Sequence, residues 1–161
     1  MSSPGAIVHI VDDDASFRKS IERLLRLRGF QTASFESADA FIRNGVTGRA
    51  GCILLDVHMP GLDGLALQQA LARTRCTLPV IFLTGRGDIP MSVRAIQAGA
   101  VNFLTKPVDA SALLAAVRAA LEEARRIQRD ERELADLRQR FARLTPRELE
   151  VLRHVIAGKL N

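Results

Sequence analysis

Four stretches of this chain end an apolar, β-branched run on residues capable of ionic chemistry. Asp12, Asp13 and Asp14 follow AIVHIV, Asp56 closes CILLD, Thr84 closes VIFLT, and Lys106 comes just after the run ending at Leu104. If these runs are parallel strands of one sheet, their ends share one edge, and carboxylates, a hydroxyl and an ammonium meet there. Three carboxylates ~4 to 5 Å apart repel one another by roughly 3 to 4 kcal/mol per pair at an effective dielectric of ~20. Lys106 offsets part of that repulsion. A hard divalent ion with oxygen ligands, Mg²⁺, offsets the rest while keeping waters in its shell. Such an ion neutralises phosphoryl oxygens in a transition state, so the pocket points to phosphoryl chemistry with an aspartate as nucleophile.

Other polar residues carry less. The Asp triplet taken alone is a solvated turn or a helix cap. His9 lies inside a strand as a packed histidine, and His154 has no second ligand at metal spacing. His58, two residues after Asp56, either overhangs the candidate site and bears on the attack of water there or is a solvent-exposed spectator. Gly85, Arg86 and Gly87 lack the GxGxxG spacing and follow the fourth strand, which argues against a dinucleotide site and for a mobile loop. Cys52 and Cys76 are far apart and read as free thiols in a reducing compartment.

The elements that must position these residues alternate. The spacing predicts strand Ala6–Val11 and helix Ser16–Arg28 stopped at Gly29, then Phe30–Phe35 with Ala38–Arg43, Cys52–Val57 with Leu65–Arg73, Val80–Leu83 with Ile89–Ala98, and Val101–Leu104 with a helix from Ser111 onward. Five βα units in about 120 residues imply an α/β fold with a parallel sheet. CILLDV and VIFLT are continuous apolar runs, as strands buried on both faces are, while the mixed QTASF suits an edge.

The last helical pattern runs on to about Leu144, roughly 45 Å at 1.5 Å per residue, so its second half is expected to project from the sheet. Ala120, Ile127, Leu134 and Phe141 recur every seven residues, with Leu137 and Leu144 between, but Glu123 and Asp130 interrupt the seam. Thr145, Pro146 and Glu148 then form a capping box that opens another helix, with Gly158 as its expected stop.

Composition bounds the rest. The 161 residues are 47% hydrophobic and 25% charged, which is globular composition with room for one core and a short second module. Without Trp or Tyr there is little for stacking bases, and a net charge of +5 permits nucleic-acid binding without demanding it. No apolar run reaches the ~18 residues of a membrane helix, so a soluble, cytoplasmic protein without membrane contact is expected.

Together VDDD (Val11–Asp14), LLDVHMPGLDG (Leu54–Gly64), FLTGRGD (Phe82–Asp88) and AGAVNFLTKP (Ala98–Pro107) resemble the receiver domain of two-component response regulators. LTPRELEVLRHVIAGKLN (Leu144–Asn161) is similar to the opening helix of a LuxR-type helix-turn-helix, giving a regulator of the NarL/FixJ class with a FixJ-like receiver. The resemblance implies a flavodoxin-like sheet of order 2-1-3-4-5 with helices on both faces, a receiver over 1–121, a helical linker over 122–143, and a truncated helix-turn-helix start over 144–161. It further implies that Asp56 accepts phosphate from a sensor histidine kinase. Asp13, Asp56 and the His58 carbonyl would hold Mg²⁺, with Asp12 acting through water, and Thr84 and Lys106 would bind phosphoryl oxygens. Lys106–Pro107 is then a cis peptide.

Thr84 and Phe103 are the expected switch pair. Phosphorylation is expected to drive homodimerisation through the face of the fourth helix, fifth strand and fifth helix, where Met91, Arg94, Ala95 and Ala98 permit close approach, and promoter DNA is the partner of the full-length protein. Such a protein catalyses only its own phosphorylation and dephosphorylation. The rival is a haloacid-dehalogenase-like Mg²⁺-dependent phosphatase, whose nucleophile follows the first strand in a DxDGT-like setting; Ala15 after Asp14 does not fit that pattern.

Overall fold

The computed structural model describes residues 5–44, 49–85 and 89–159, and the chain divides into two compact units at Arg126/Ile127. In the first unit the strands are β1 (Ile7–Val11), β2 (Gln31–Phe35), β3 (Gly51–Asp56), β4 (Val80–Thr84) and β5 (Asn102–Thr105). They form one sheet in the order β2-β1-β3-β4-β5, every neighbouring pair parallel. The sequence-derived strands agree to within a residue or so, and QTASF is an edge strand as its mixed pattern requires.

Strand alternation divides the core in two. Val8, Ile10, Cys52, Leu54, Ile81 and Leu83 point to one face, under helices α1 (Ala15–Leu27) and α5 (Ala110–Ala142). Val11, Ile53, Leu55, Val80 and Phe82 point to the other, under α2 (Ala38–Asn44), α3 (Gly64–Arg73) and α4 (Ile89–Gln97). Each fully buried Leu or Ile contributes about 1.5 to 3 kcal/mol. His9 is buried among them against the Phe35 and Phe41 rings, and burial lowers its imidazole to about 4.

Local chemistry sets the helix ends. Asp14 caps α1, accepting from the Ser16 and Phe17 amides at 2.9 and 3.1 Å, and Asp63 caps α3 through the Ala66 amide at 2.8 Å. Past α1, Gly29 sits at φ +84°, the left-handed turn that lets Phe30 N–H reach back to the Leu25 carbonyl at 3.0 Å. Helix α4 corrects one expectation. Ala95 is fully buried and Met91 is partly buried against the core, so neither is an outer-face residue; Val93, Arg94, Ile96 and Gln97 are among the exposed side chains.

Helix α5 is continuous over 33 residues, and its buried side chains end at Ala124. In the second unit Leu134, Leu137 and Phe141 are about half exposed. Helix α6 (Pro146–Lys159) opens with the expected capping box: Glu148 accepts from the Thr145 amide at 2.9 Å and Thr145 Oγ1 from the Glu148 amide at 3.3 Å. Gly158 does not stop this helix, which passes through it to Lys159; a glycine inside a helix costs about 1 kcal/mol, too little to end one by itself. No described helix is long and apolar enough to cross a membrane.

Candidate functional site

The carboxyl ends of β1, β3, β4 and β5 bring the ionic residues together. Asp12 is the first residue past β1 and is completely buried; its backbone amide still bonds the Phe35 carbonyl at 3.2 Å, so it is held as an extension of the sheet. Asp56 ends β3 at 5% exposure, while Asp13 is exposed at the rim. One carboxylate oxygen from each of Asp12, Asp13 and Asp56 lies within 4.8 Å of the others. Asp14, the third of the triplet, is spent on the α1 cap.

Lys106 enters from the end of β5. Its backbone amide bonds the Thr84 carbonyl at 2.6 Å, joining the strand ends, and the Lys106–Pro107 peptide is cis. The ammonium donates to Asp12 Oδ2 at 2.6 Å and stands 3.9 Å from Asp56 Oδ1. Thr84 is fully buried at the end of β4, one residue beyond Leu83, the register partner of Asp56. His58 is exposed and its amide reaches Asp56 Oδ1 at 3.4 Å. Asp56, His58, Gly85 and Lys106 line a cleft open to solvent. Arg86, Gly87 and Asp88 lie outside the described residues, and with them the reading of that loop.

The electrostatics are those of an acidic pocket short of positive charge. Burial, then the Asp12 carboxylate, push Asp56 from 3.8 up to about 6, against the lowering effect of Lys106 and the His58 amide. One lysine does not compensate three carboxylates. The donor set, all carboxylate oxygen with an open cleft beside it, fits a hard divalent cation.

Three residues join the site that spacing alone did not single out. Phe17 lies with its ring under the Lys106 ammonium, 4.0 Å from centroid to nitrogen. Arg18 donates to the Asp12 backbone carbonyl at 2.6 Å. Gly64 opens α3 so close to the site that a Cβ there would be 2.4 Å from the Asp56 carbonyl oxygen. Phe17 and Arg18 read as one core and one solvent position of an amphipathic helix; their signal is the cap at Asp14, which turns the first turn of α1 onto the strand end. Phe103, on β5, is half-buried and packs against the second core cluster near Phe82, ring centroids 6.4 Å apart.

A parallel sheet in this order, with an acidic pocket at its carboxyl edge and a lysine bound into it, defines a response regulator receiver. The model of the response regulator receiver domain family matches residues 8–118, and the chain belongs to that family. Nodulation protein W of Bradyrhizobium diazoefficiens is 43% identical over 160 residues, 99% of this chain and 70% of that protein. The transcriptional regulatory protein FixJ of Azorhizobium caulinodans is 40% identical over 154 residues, 96% of this chain and 73% of its own length. Among solved structures, the response regulator StyR superposes with a TM-score of 0.88 at 39% identity, covering 96% of this chain and 78% of StyR. Phosphorylation-based two-component signalling is therefore the chain's function, and the phosphatase alternative falls away.

Proposed function

We propose that Asp56 is the phospho-acceptor of this regulator, taking its phosphoryl group from the phosphohistidine of a sensor histidine kinase. The observation that carries the reading is the convergence of Asp12, Asp13 and Asp56 within 4.8 Å, with Lys106 bound among them. A carboxylate oxygen of Asp56 attacks phosphorus, the P–N bond breaks as the P–O bond forms, and the released imidazole takes a proton. Asp56 is mostly ionised at neutral pH, as a nucleophile must be, and the cleft beside it admits the donor.

Asp12, Asp13 and Asp56, with the His58 carbonyl, would hold Mg²⁺, Asp12 through water. When bound, that ion neutralises charge on the transferring phosphoryl oxygens. Lys106 binds one phosphoryl oxygen and the Thr84 hydroxyl binds another. The new charge draws Thr84 inward, Phe103 reorients, and the α4–β5–α5 face pairs two copies.

Residues 1–121 act as receiver, 122–143 as helical linker and 144–161 as the opening helix of a helix-turn-helix, through which the regulator, working in the cytoplasm, meets promoter DNA. The protein turns over no other substrate. FixJ, a relative described as a transcriptional regulatory protein, supports the output end of this reading.

Incubation with acetyl phosphate and Mg²⁺ is expected to add one phosphoryl group by intact-mass spectrometry. Full incorporation in Asp56→Asn overturns the assignment.

A further inference from the structure

Lys106 is held on two sides by chemically different partners. Asp12 takes the ammonium by charge at 2.6 Å, and the face of the Phe17 ring lies against it, 4.0 Å from nitrogen to centroid. An ammonium over an aromatic face within ~6 Å is attracted by the ring quadrupole. Phe17 is itself fixed: its amide is bound by the Asp14 cap at 3.1 Å and its side chain packs against the core cluster beneath α1 and α5. The lysine side chain is 19% exposed, so an ammonium freed from the ring has solvent to swing into.

We infer that Phe17 is a positioning residue for phosphoryl transfer: its ring confines the Lys106 ammonium over the pocket, so that the move from Asp12 toward the oxygens on Asp56 is a short excursion. The inference rests on the assignment of Asp56 as phospho-acceptor. A neutral ring suits the task because it attracts the ammonium without adding a fourth negative charge to an uncompensated pocket. A carboxylate in its place would hold the lysine more tightly and compete with the phosphoryl group.

Two replacements test it. Phe17→Leu keeps an apolar side chain and removes the ring; site-specific 3,4,5-trifluorophenylalanine at position 17 keeps the ring and its shape and neutralises the π face. Both are expected to slow self-phosphorylation by acetyl phosphate about fivefold, equivalent to about 1 kcal/mol. In a Lys106→Met background neither replacement should change the residual rate further.

A second readout needs no phosphate or metal: the Lys106 Hε protons should resonate upfield in the wild-type NMR spectrum, from the ring current, and return toward ordinary values in Phe17→Leu. A slow leucine variant with a trifluoro variant of wild-type rate makes Phe17 mere packing and overturns the inference, as does an unshifted Lys106 Hε. Should the leucine variant fail to fold, the trifluoro variant and the NMR shift decide the matter. Incorporation that survives Asp56→Asn removes the underlying assignment. Incorporation lost in Asp56→Asn but indifferent to both replacements removes the role of Phe17 alone.

Discussion

Lys106 and Asp12, 94 residues apart in the chain, are joined by a 2.6 Å ion pair in which the carboxylate is entirely buried and the ammonium is not. The asymmetry matters. The Asp12 carboxylate has little water to turn to if the lysine is lost, the carboxylates of Asp13 and Asp56 lie within 4.8 Å of it, and the Arg18 guanidinium is bound to its backbone carbonyl rather than to its side chain.

Lys106→Met is therefore expected to destabilise the fold by roughly 2 to 4 kcal/mol at neutral pH without divalent ions, because breaking a buried pair strands the remaining charge. Adding Asp12→Asn to that variant should recover part of the loss, as should millimolar Mg²⁺. Urea unfolding measures all four cases, and an unchanged midpoint in Lys106→Met contradicts the expectation.

Asp56 gives a pH dependence of opposite sign to the usual carboxylate. Its folded value is raised from 3.8 to about 6, so the folded chain binds the proton more tightly than the unfolded one, and ionising Asp56 costs stability. The cost is fully present above pH ~6 and fades as pH falls from 6 toward 3.8. About two pH units correspond to roughly 3 kcal/mol. Asp56→Asn should accordingly be the more stable protein at pH 7.5 in EDTA, with its advantage shrinking toward pH 4. Equal advantages in thermal melts at both pH values would falsify this account.

The motif LDG is under a steric constraint. A Cβ at Gly64 would lie 2.4 Å from the Asp56 carbonyl oxygen and 3.0 Å from the Val57 Cα, both backbone atoms with nowhere to go. Gly64→Ala should cost 2 kcal/mol or more and displace Asp56, lowering phosphoryl incorporation. Gly61, at φ +78° with nothing within 4 Å, should lose only about 1 kcal/mol as alanine, from backbone strain alone. Chemical denaturation of the pair checks the ordering.

Much of this was legible because it depends on period and on strand ends. Continuous apolar runs such as CILLD and VIFLT identify strands buried on both faces, and the parallel arrangement then forces Asp12, Asp56 and Lys106 to one edge. The faces of individual helices were harder to read. Met91 and Ala95 looked like an outer surface because small residues permit close approach, but the same smallness lets α4 sit tightly on the sheet, and Ala95 is wholly buried. Phe17 was legible as core and illegible as a partner of Lys106, since that contact depends on how the Asp14 cap aims the first turn of α1. Gly158 has the composition of a helix stop, which local propensity alone does not enforce.

The switch proposed for Thr84 and Phe103 has a direct test. Phe103 is the register partner of Phe82, two residues before the buried Thr84 on β4, so an inward move of Thr84 is expected to be accompanied by repacking of the Phe103 ring. Crystal structures with and without beryllofluoride should differ in the Thr84 hydroxyl position and the Phe103 rotamer. Identical side chains in both forms end this mechanism.

The apolar surface around α4 and β5 sets the last expectation. Val93, Ile96 and Val101 are between 38% and 48% exposed, with Arg94 exposed among them. Burying those three side chains against a second copy would favour association by a few kcal/mol in total, before the entropic cost of bringing two molecules together. That balance is too close to zero for a constitutive dimer, which is what a switch requires: a small conformational change at Phe103, on the adjoining strand, suffices to tip it. The seam along the linker helix is broken by Glu123, whose carboxylate is instead bound by Arg126 at 3.0 Å, so it adds little association of its own. The unphosphorylated protein should sediment as a monomer and the beryllofluoride form as a dimer, while Ile96→Asp or Arg94→Glu should keep the latter monomeric without lowering phosphoryl incorporation at Asp56. Equal mass in both states contradicts the expectation, and a dimer indifferent to both substitutions would place the activating contact elsewhere on the molecule.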